Sequence, residues 1–481
     1  MRIESDKPEN HGLSSKALLD FFQQIEHSGL GVNSFMLLQN GKATAQYWRA
    51  PYRKDCPQLL FSLSKSFTSI ATGIAWDNGL LDLEDKVISY FPDRLPDTMS
   101  PNLAKMSIHH LLSMNTGHAN NIYGLVANAK DWVRAFLSLK VEREPGSFYL
   151  YNTHATYMLS AIIEQVTGQN LVDFLMPRLF EPLGIPRPSW ETCPMGITAG
   201  GMGLSLTTES IAKFGQMLLN KGVYDGQRIV SERYIHLATG KQSDNRMAGD
   251  SADFTQGYGY QFHLCRRGCY RGDGAFGQLC FVAPRENLVI AATSSLNGRQ
   301  QLKALLDLIY EHILDQLDNN HSPSLEDHQV LQQRLASVTY PVPGFQPVPE
   351  GVPDFGQRSY LMSENPRGLH KLDVSLKGKQ IELQFTHDTY ADRLLFDVTK
   401  PVHTQGMFEK DLALHRQEVV TYASWLTKNK LKLTLLYIET PYLVTYTLCF
   451  KERELELELN YEMNVSLSPH TKEFTAAGHC I

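Results

Sequence analysis

The sequence contains no long hydrophobic run, although 42% of its 481 residues are apolar. A membrane-spanning helix needs about 20 consecutive apolar residues. The first twelve residues are largely polar, and the apolar residues that follow recur at helical spacing, as Leu18, Phe21, Phe22 and Ile25 show. We therefore expect neither a signal peptide nor a membrane span, and no membrane partner.

Cysteine is also scarce. The seven cysteines are an odd number scattered along a long chain, which is typical of reduced intracellular thiols, so we expect a cytoplasmic protein. Cys265, Cys269 and His263 lie close together in the sequence, but no second ligand pair follows at zinc spacing. This favours strand and turn residues over a metal site. The sequence predicts no metal and no other cofactor.

Clusters of basic residues are missing as well. The formal net charge is −6, so no positive surface is expected that would attract nucleic acid. The length allows a large hydrophobic core and about two to four domains. We therefore expect a globular protein without a nucleic-acid partner.

The most informative feature that is present is a serine and a lysine three residues apart, Ser62 and Lys65. Apolar residues recur at helical spacing over residues 67–75, and the run stops at Asn78-Gly79, so Ser62 lies at or next to a helix N-terminus. One helical turn then brings Lys65 onto the same face as Ser62. The helix dipole opposes a cation in the first turn, which favours a neutral amine, a base beside a nucleophile.

A Ser-x-x-Lys pattern alone also fits an ordinary N-cap serine followed by a solvated lysine. Two further segments agree with the chemical interpretation. Residues 145–153 read Pro-Gly-Ser-Phe-Tyr-Leu-Tyr-Asn-Thr and lead into a helical run that ends at Thr167-Gly168. Residues 270–278 read Tyr-Arg-Gly-Asp-Gly-Ala-Phe-Gly-Gln and lead into strand-like residues up to Ala283.

With its motifs in this order, the chain resembles the β-lactamase and penicillin-binding protein superfamily, in particular the branch of class C β-lactamases, D-aminopeptidases and related esterases. Residues 107–117 are similar to the family's segment between the first two motifs. Residues 199–205 and 211–218 are similar to its glycine turn and the helix that follows. The resemblance covers residues 1–320 and implies a serine hydrolase that acts through an acyl-enzyme.

The resemblance also implies roles for single residues. Ser62 would be the nucleophile, Lys65 and the Tyr151 phenol would share the proton transfers, and the backbone amides of Ser62 and Ala275 would form the oxyanion hole. Tyr151 is chosen because the family's tyrosine falls six residues after the proline of a Pro-Gly pair, as Tyr151 does after Pro145. A tyrosine with a pKa of about 10 is a poor base at neutral pH, so it is treated as coupled to Lys65. The alternative for Tyr151 is an aromatic residue packed beneath the sheet.

Two departures from the family pattern bear on the substrate. The family usually has asparagine two residues after the tyrosine, whereas this chain has Thr153, with Asn152 displaced by one; both residues and Gly274 are candidate substrate-binding residues. Where lysine or histidine normally opens the third motif, this chain has Gly272, which removes a charge that holds a substrate carboxylate in antibiotic-hydrolysing members. Arg271 and Arg267 could restore that charge, but Arg271 would do so only if it faced the site, and adjacent strand residues point to opposite faces.

These departures favour an uncharged ester, an amide or a short peptide as substrate, with weak or no β-lactamase activity. The alternative function is a penicillin-binding or sensor-like protein that keeps the fold but turns over slowly or not at all. The expected partner is a small molecule or a short peptide, and the sequence leaves a homo-oligomer open.

The glycines of the third segment also match a dinucleotide-binding pattern, Gly272-x-Gly274-x-x-Gly277. That chemistry requires a helix after the glycines, with its N-terminus facing the pyrophosphate. Strand-like residues follow here, so the match is interpreted as accidental.

The expected fold is mixed α/β, of the α+β kind. Asn40-Gly41 between two strand-like runs predicts a hairpin near the start of the chain. Three strand-like runs and an amphipathic helix precede residue 320, at residues 257–264, 277–283, 288–294 and 302–317. Strands at both ends with helices between them predict one mostly antiparallel sheet, covered by terminal helices on one side and a helical insertion on the other. The resemblance implies the same β-lactamase/transpeptidase-like fold.

Three regions are predicted along the chain. Residues 1–320 form the serine hydrolase domain, residues 321–355, which are rich in proline, form a linker, and residues 356–481 form a C-terminal domain. In the last region, runs that alternate apolar and polar residues predict half-buried antiparallel strands. A small β-sandwich or barrel-like unit is expected there, and nothing in its sequence suggests chemistry.

Overall fold

The structure is a computed structural model that describes residues 3–249, 251–317, 324–342, 344–353, 356–451 and 455–481. The chain divides into two compact units. The first comprises Met1–Trp48 and Pro57–Val338, and the second comprises Arg49–Cys56 and Thr339–Ile481. In the described ranges, no helix combines the length and apolar character that a membrane crossing requires, and no disulfide joins any two cysteines.

The first unit is built on an antiparallel sheet whose strands come from both ends of the unit. Its strands, including short ones outside that sheet, are β1 Val32–Gln39, β2 Lys42–Trp48, β3 Gln58–Leu59, β4 Ser189–Trp190, β5 Leu204–Leu206, β6 Val223–Tyr224, β7 Gln227–Arg228, β8 His263–Leu264, β9 Tyr270–Gly274, β10 Gln278–Ala283 and β11 Leu288–Ser294. The main sheet has the order β2-β1-β11-β10-β9-β8. The predicted hairpin joins β1 and β2, and its turn residues Asn40 and Gly41 both have positive φ.

Helices cover both faces of this sheet. They are α1 Ser15–His27, α2 Ser64–Asp77, α3 Pro101–Lys105, α4 Ile108–Leu112, α5 Tyr123–Ala127, α6 Trp132–Ser138, α7 Thr153–Thr167, α8 Leu171–Leu175, α9 Thr208–Leu219, α10 Glu232–Thr239, α11 Gly298–His312 and α12 Leu325–Ser337. On one face α1, α11 and α12 share a core with the strands, and α9 packs on the other face. The predicted arrangement of terminal helices and a helical insertion is confirmed.

Alternation along β1 explains which side chains meet the terminal helices. Phe35 and Leu37 lie on one face of the strand, opposite Ala292 and Ile290 of β11, and all four are fully buried. The Phe35 ring packs edge-to-face on Phe22 of α1, with ring centroids 5.3 Å apart. Burying each large apolar side chain stabilises the fold by about 1.5–3 kcal/mol. The core on this face therefore packs helix α1 against strand β1, which pairs with β11 in the middle of the sheet.

One predicted strand is largely wrong. Residues 257–264 alternate in the sequence, but only His263–Leu264 forms a strand. Gly257 has a φ of 123° and Gln261 a φ of 68°, and neither value belongs to extended backbone. The segment instead turns beneath helix α10, since Tyr260 N donates to Ala238 O at 2.9 Å.

The second unit contains a ten-stranded antiparallel sheet. Its strands are β12 Gly356–Met362, β13 Leu369–Lys377, β14 Gln380–His387, β15 Ala391–Asp397, β16 Val402–Glu409, β17 Leu414–Thr427, β18 Lys430–Tyr437, β19 Leu443–Lys451, β20 Glu456–Met463 and β21 Glu473–Cys480. The strand order is β15-β14-β13-β12-β21-β20-β19-β18-β17-β16. Burial alternates along most of these strands, as the sequence predicts for strands with one face in a core.

The two edge strands of this sheet come together, so the sheet forms a near-barrel rather than a sandwich. Side chains make the links across the seam: Thr421 Oγ1 donates to Leu395 O at 2.5 Å, and Asp392 Oδ2 accepts from Met407 N at 2.8 Å. Closure hides strand edges that would otherwise pair with other chains. Of the two architectures predicted for this region, the barrel-like one is correct.

The predicted boundaries of the linker, at 320/321 and 355/356, involve residues outside the described ranges. Within the predicted linker the structure contains α12, whose Leu331 and Leu335 are buried in the core of the first unit. The domain boundaries remain predictions.

Candidate active site

Ser62 lies in a single 3₁₀ turn, Phe61–Leu63, that runs directly into α2. Its side chain is partly exposed, whereas the first residues of α2 are buried. The helix carries small polar residues among its apolar ones, which lets neighbouring helices pack around it. The sequence prediction that Ser62 lies next to a helix N-terminus agrees with this geometry.

Lys65 lies one turn further along and is only 1% exposed. Its Nζ is 2.9 Å from Ser62 Oγ, and it donates to Gly201 O at 2.7 Å. Gly201 is pressed against Thr153, because a Cβ on Gly201 would lie 2.6 Å from Thr153 O. A glycine is therefore needed where the turn of residues 199–205 brings its carbonyl to the lysine. The sequence indicated this turn only through the family resemblance and did not identify Gly201 as a partner of Lys65.

Tyr151 comes from the segment before α7 and completes the group. Its ring centroid is 4.9 Å from Lys65 Nζ, and its phenol lies near enough to the Ser62 hydroxyl for that hydroxyl to lower the pKa of the phenol. Burial raises the pKa of this phenol, the nearby Ser62 hydroxyl lowers it, and the Asp273 carboxylate raises it further, with a net rise above 10. Tyr151 is therefore a protonated phenol at neutral pH, able to donate rather than accept a proton.

Asp273 and His263 are neighbours of Tyr151 that the sequence prediction missed. His263 Nε2 is 3.4 Å from Asp273 Oδ1, and the His263 ring lies nearly parallel to the Tyr151 ring, with centroids 6.2 Å apart. Burial is the largest cause that lowers the pKa of His263, to about 4, so this imidazole is neutral at neutral pH. The only sequence signal was position: Asp273 lies between the two glycines of the third segment.

The positive charge of Arg271 is paired with a carboxylate inside the protein. The side chain is fully buried, donates from Nη1 to Asp253 O at 2.6 Å and pairs with Asp273 through Nε at 3.0 Å. Arg271 and Asp273 share a strand face, whereas the intervening Gly272 faces α2, where a Cβ would lie 2.4 Å from Ser66 Oγ. The guanidinium thus neutralises a buried carboxylate instead of replacing the family's third-motif cation.

Gly274 brings β9 against the serine turn. A Cβ at this position would lie 2.1 Å from Leu60 O and 3.1 Å from Leu63 N, so only glycine fits. This contact places the peptide that precedes Ala275 beside the turn that contains Ser62. The two amides that the resemblance assigns to an oxyanion hole therefore lie on adjoining segments. Close packing at Gly272 and Gly274 accounts for both glycines without a bound dinucleotide. The element that follows the segment is strand β10, not the helix that dinucleotide binding requires.

The side chain of Asn152 is used as a helix cap. Its Oδ1 accepts from His154 N at 3.1 Å and from Ala155 N at 3.3 Å at the start of α7, and the residue is only 4% exposed. Thr153 is partly exposed and contacts Gly201 beside Lys65. The substrate contacts predicted for Asn152 and Thr153 stay predictions, and the observed bonds give Asn152 a structural role.

We expect the substitution Asn152→Ala to lower the free energy of unfolding by about 0.5–2 kcal/mol, since two amides of α7 lose their acceptor. Asn152→Asp keeps a capping oxygen and should retain most of the stability. Urea unfolding measures both values. The comparison variant is Asn170→Ala, which removes an asparagine N-cap from α8 by the same substitution. A free energy of unfolding unchanged in Asn152→Ala would contradict the capping role.

An antiparallel sheet flanked by helices, with a Ser-x-x-Lys pair at the start of a buried helix, is the architecture of β-lactamase/transpeptidase-like proteins. The family model described as Beta-lactamase matches residues 21–312, more than half of the chain, and the chain belongs to this family. The family and the α+β fold expected from the sequence are thus confirmed.

Known relatives agree with this assignment. The 6-aminohexanoate-dimer hydrolase of Paenarthrobacter ureafaciens is 26% identical over 299 residues, which cover 58% of this chain and 76% of that protein. Among solved structures, EstCE1, a hydrolase with promiscuous acyltransferase activity, has a TM-score of 0.51 at 17% identity and covers 62% of this chain and 98% of its own. The octameric penicillin-binding protein homologue from Pyrococcus abyssi has a TM-score of 0.51 at 16% identity and covers 96% of this chain and 99% of its own.

Proposed function

We propose that this protein is a serine hydrolase that cleaves an ester, an amide or a short peptide through an acyl-enzyme on Ser62. The observation that carries the proposal is the distance of 2.9 Å between Lys65 Nζ and Ser62 Oγ, with the Tyr151 ring centroid 4.9 Å from the same Nζ. A nucleophile within hydrogen-bond reach of a base, and a third group beside both, is the arrangement that activates a serine.

In the acylation step, Lys65 acts as the base. A neutral amine can donate one N–H to Gly201 O while its lone pair accepts the proton of Ser62 Oγ. The oxygen then forms a bond to the substrate carbonyl carbon, and the carbonyl π electrons move onto its oxygen. The negative oxygen would be held by the backbone N–H groups of Ser62 and Ala275.

Collapse of this tetrahedral intermediate expels the leaving group. The Tyr151 phenol, protonated in the resting state, gives the leaving oxygen or nitrogen its proton, and recovers the proton that Lys65 took from Ser62. A water molecule then attacks the acyl-enzyme, and the same two groups carry its proton back to Ser62 Oγ. The products are a carboxylic acid and the free enzyme.

The charges around the site favour a substrate without a carboxylate next to the scissile bond. Gly272 carries no charge, Arg271 is committed to Asp273 and Asp253, and His263 is neutral. The fixed cation that holds a β-lactam carboxylate in antibiotic-hydrolysing members is thus not supplied by these positions. Weak or no β-lactamase activity follows, and the 6-aminohexanoate-dimer hydrolase relative supports a search among amides.

Active-site labelling tests the proposal directly. We expect a fluorophosphonate probe to modify wild-type protein at Ser62, as located by peptide mass mapping, and Ser62→Ala protein to stay unlabelled. Hydrolysis should then be screened with nitrophenyl esters, D-amino-acid amides and β-lactams. Labelling at another serine, or an unlabelled Ser62 together with no ester hydrolysis, would contradict the proposal.

The second candidate is a slow-turnover penicillin-binding or sensor-like protein. Gly272 and Thr153, at the positions where the family has a cation and an asparagine, are the features that favour it. Incubation with a fluorescent penicillin separates the two candidates: a burst of Ser62 labelling without steady-state release favours the sensor, and steady release of acid product from esters favours the hydrolase.

The oligomeric state and the location remain proposals. We infer a cytoplasmic location from the cysteine usage. We infer a homo-oligomer from the octameric penicillin-binding protein homologue, whose match covers 96% of this chain. Native mass spectrometry of the full chain measures the assembly, and a monomeric mass at micromolar concentration would contradict it.

A further inference from the structure

Two phenylalanines beside the proposed oxyanion hole have left-handed backbone. Phe61, with a φ of 49°, immediately precedes Ser62, and Phe276, with a φ of 63°, immediately follows Ala275. A residue with a side chain rarely adopts this conformation, because its Cβ crowds the neighbouring carbonyl oxygen. Such strained residues persist where the surrounding structure holds them, and they are concentrated at functional sites.

The rings of these two residues touch each other. Their centroids are 5.1 Å apart and their planes meet at 82°, the edge-to-face arrangement that aromatic pairs prefer. Phe61 is 2% exposed, and Phe276 is half-buried. One ring belongs to the turn before α2 and the other to the turn between β9 and β10. The contact therefore joins the two segments that carry the two proposed oxyanion donors.

Hydrogen bonds orient the peptide units on both sides. Phe61 O accepts from Ser64 Oγ at 2.6 Å, and because a trans peptide points its N–H opposite its C=O, this bond also sets the direction of the Ser62 N–H. On the other side, Ala275 O accepts from Gln278 Nε2 at 3.0 Å and Phe276 O accepts from Leu296 N at 2.9 Å. Each turn is therefore held by hydrogen bonds apart from the ring contact, and the ring contact relates one turn to the other.

We propose that the Phe61–Phe276 ring contact is a positioning device that sets the separation of the Ser62 and Ala275 amides. The inference rests on the proposed serine hydrolase function. The two phenylalanines touch no reacting atom and act only through the amides beside them. An oxyanion donor stabilises the developing charge only at hydrogen-bond distance. A small displacement of either turn therefore reduces the stabilisation of the transition state more than it reduces the binding of the substrate.

The test uses Phe61→Leu, Phe276→Leu and the double variant of the full chain, with 4-nitrophenyl acetate as substrate. We expect each single variant to lower kcat by about 10- to 100-fold with little change in KM, since misplacement by about 1 Å can cost that much. The double variant should be no worse than the more affected single variant, because either change already breaks the contact. Phe276→Tyr keeps the ring and should keep the wild-type rate.

A second measurement separates positioning from general destabilisation. Phenylboronic acid forms a tetrahedral adduct with an active-site serine, so its affinity should fall across the variants in step with kcat. Phe22→Leu is the matched control, because Phe22 packs edge-to-face on Phe35 with centroids 5.3 Å apart in the sheet core. This variant should lower the melting temperature while boronate affinity and kcat stay at wild-type values.

Several outcomes would overturn the proposal. They are multiplicative losses in the double variant, a lower melting temperature with unchanged kcat in Phe61→Leu and Phe276→Leu, and boronate affinity that does not follow kcat. A wild-type Ser62 that reacts with neither fluorophosphonate nor ester contradicts the proposed function first and the positioning role with it. Normal wild-type labelling with unchanged labelling rates in both leucine variants contradicts the positioning role alone.

Discussion

Replacement of Lys65 by methionine is expected to lower kcat/KM for an activated ester by about 10³-fold, because the serine loses the base that takes its proton. Methionine has a similar length and suits the site, which leaves the lysine only 1% exposed. The Gly201 carbonyl loses its donor at 2.7 Å, so some loss of stability is also expected. Steady-state rates and urea unfolding of the same preparation separate the two effects.

Lys65→Arg tests whether the amine acts as a base or only as a positive charge. Arginine keeps the charge but stays protonated, with a pKa above about 12, so it cannot take the serine proton. We expect a loss as large as in Lys65→Met. An arginine variant with near wild-type activity would show that Lys65 acts through its charge and would contradict its role as base.

Lys213→Met is the matched control for removal of a buried lysine. Lys213 is 7% exposed in α9, where it pairs with Glu209 at 3.3 Å and donates to Gly184 O at 3.4 Å. It has the same side chain and a similar degree of burial, but it does not contact Ser62. We expect lower stability and unchanged kcat/KM in this variant.

The second large effect is expected for Gly274→Ala, with a fall in kcat of about 10²- to 10³-fold, the loss typical of one oxyanion-hole donor. The new Cβ would lie 2.1 Å from Leu60 O and 3.1 Å from Leu63 N, which are both backbone atoms. Backbone cannot turn away as the end of a side chain can. Strand β9 must therefore move away from the serine turn, and the Ala275 amide moves with it.

Two glycines without backbone atoms so close to the position of a Cβ provide controls for Gly274→Ala. A Cβ at Gly272 would meet side-chain atoms instead of backbone, Ser66 Oγ at 2.4 Å and Leu63 Cδ1 at 2.7 Å, so Gly272→Ala should lose less activity than Gly274→Ala. A Cβ at Gly344 meets nothing within 4 Å, and Gly344→Ala should be neutral. Equal kcat values for Gly274→Ala and Gly344→Ala would contradict the role of the close approach.

Local sequence patterns were sufficient for the elements that carry the chemistry. Helical spacing after Ser62 predicts α2, and the distance of one turn predicts that Lys65 lies beside it, because both residues belong to one continuous backbone. The hairpin at Asn40-Gly41 and the alternating strands of the second unit are likewise short-range signals. Each of these predictions depends on residues fewer than about ten positions apart.

Contacts between distant segments were harder to predict. The sequence left open whether Arg271 faces the site, and only the packed strand shows the guanidinium paired with Asp273. The sequence treated Tyr151 as coupled to Lys65 and did not show which way the pKa of the phenol would move; burial and the Asp273 carboxylate raise it. The pKa of Tyr151 has no signal in local spacing, because it depends on how far the phenol is removed from water and on a charge from another segment.

The sequence by itself determined the family, the mixed fold, the closeness of Ser62 and Lys65 and the antiparallel strands of the second unit, and it left a sandwich and a barrel open there. Tertiary structure alone decided that Gly274 lies against the serine turn, that the second unit closes into a near-barrel, and that two phenylalanine rings meet beside the proposed oxyanion hole. The physical reason is that periodicity and spacing report the geometry of one segment, whereas close approach, burial and charge pairing arise only when segments far apart in the chain pack together.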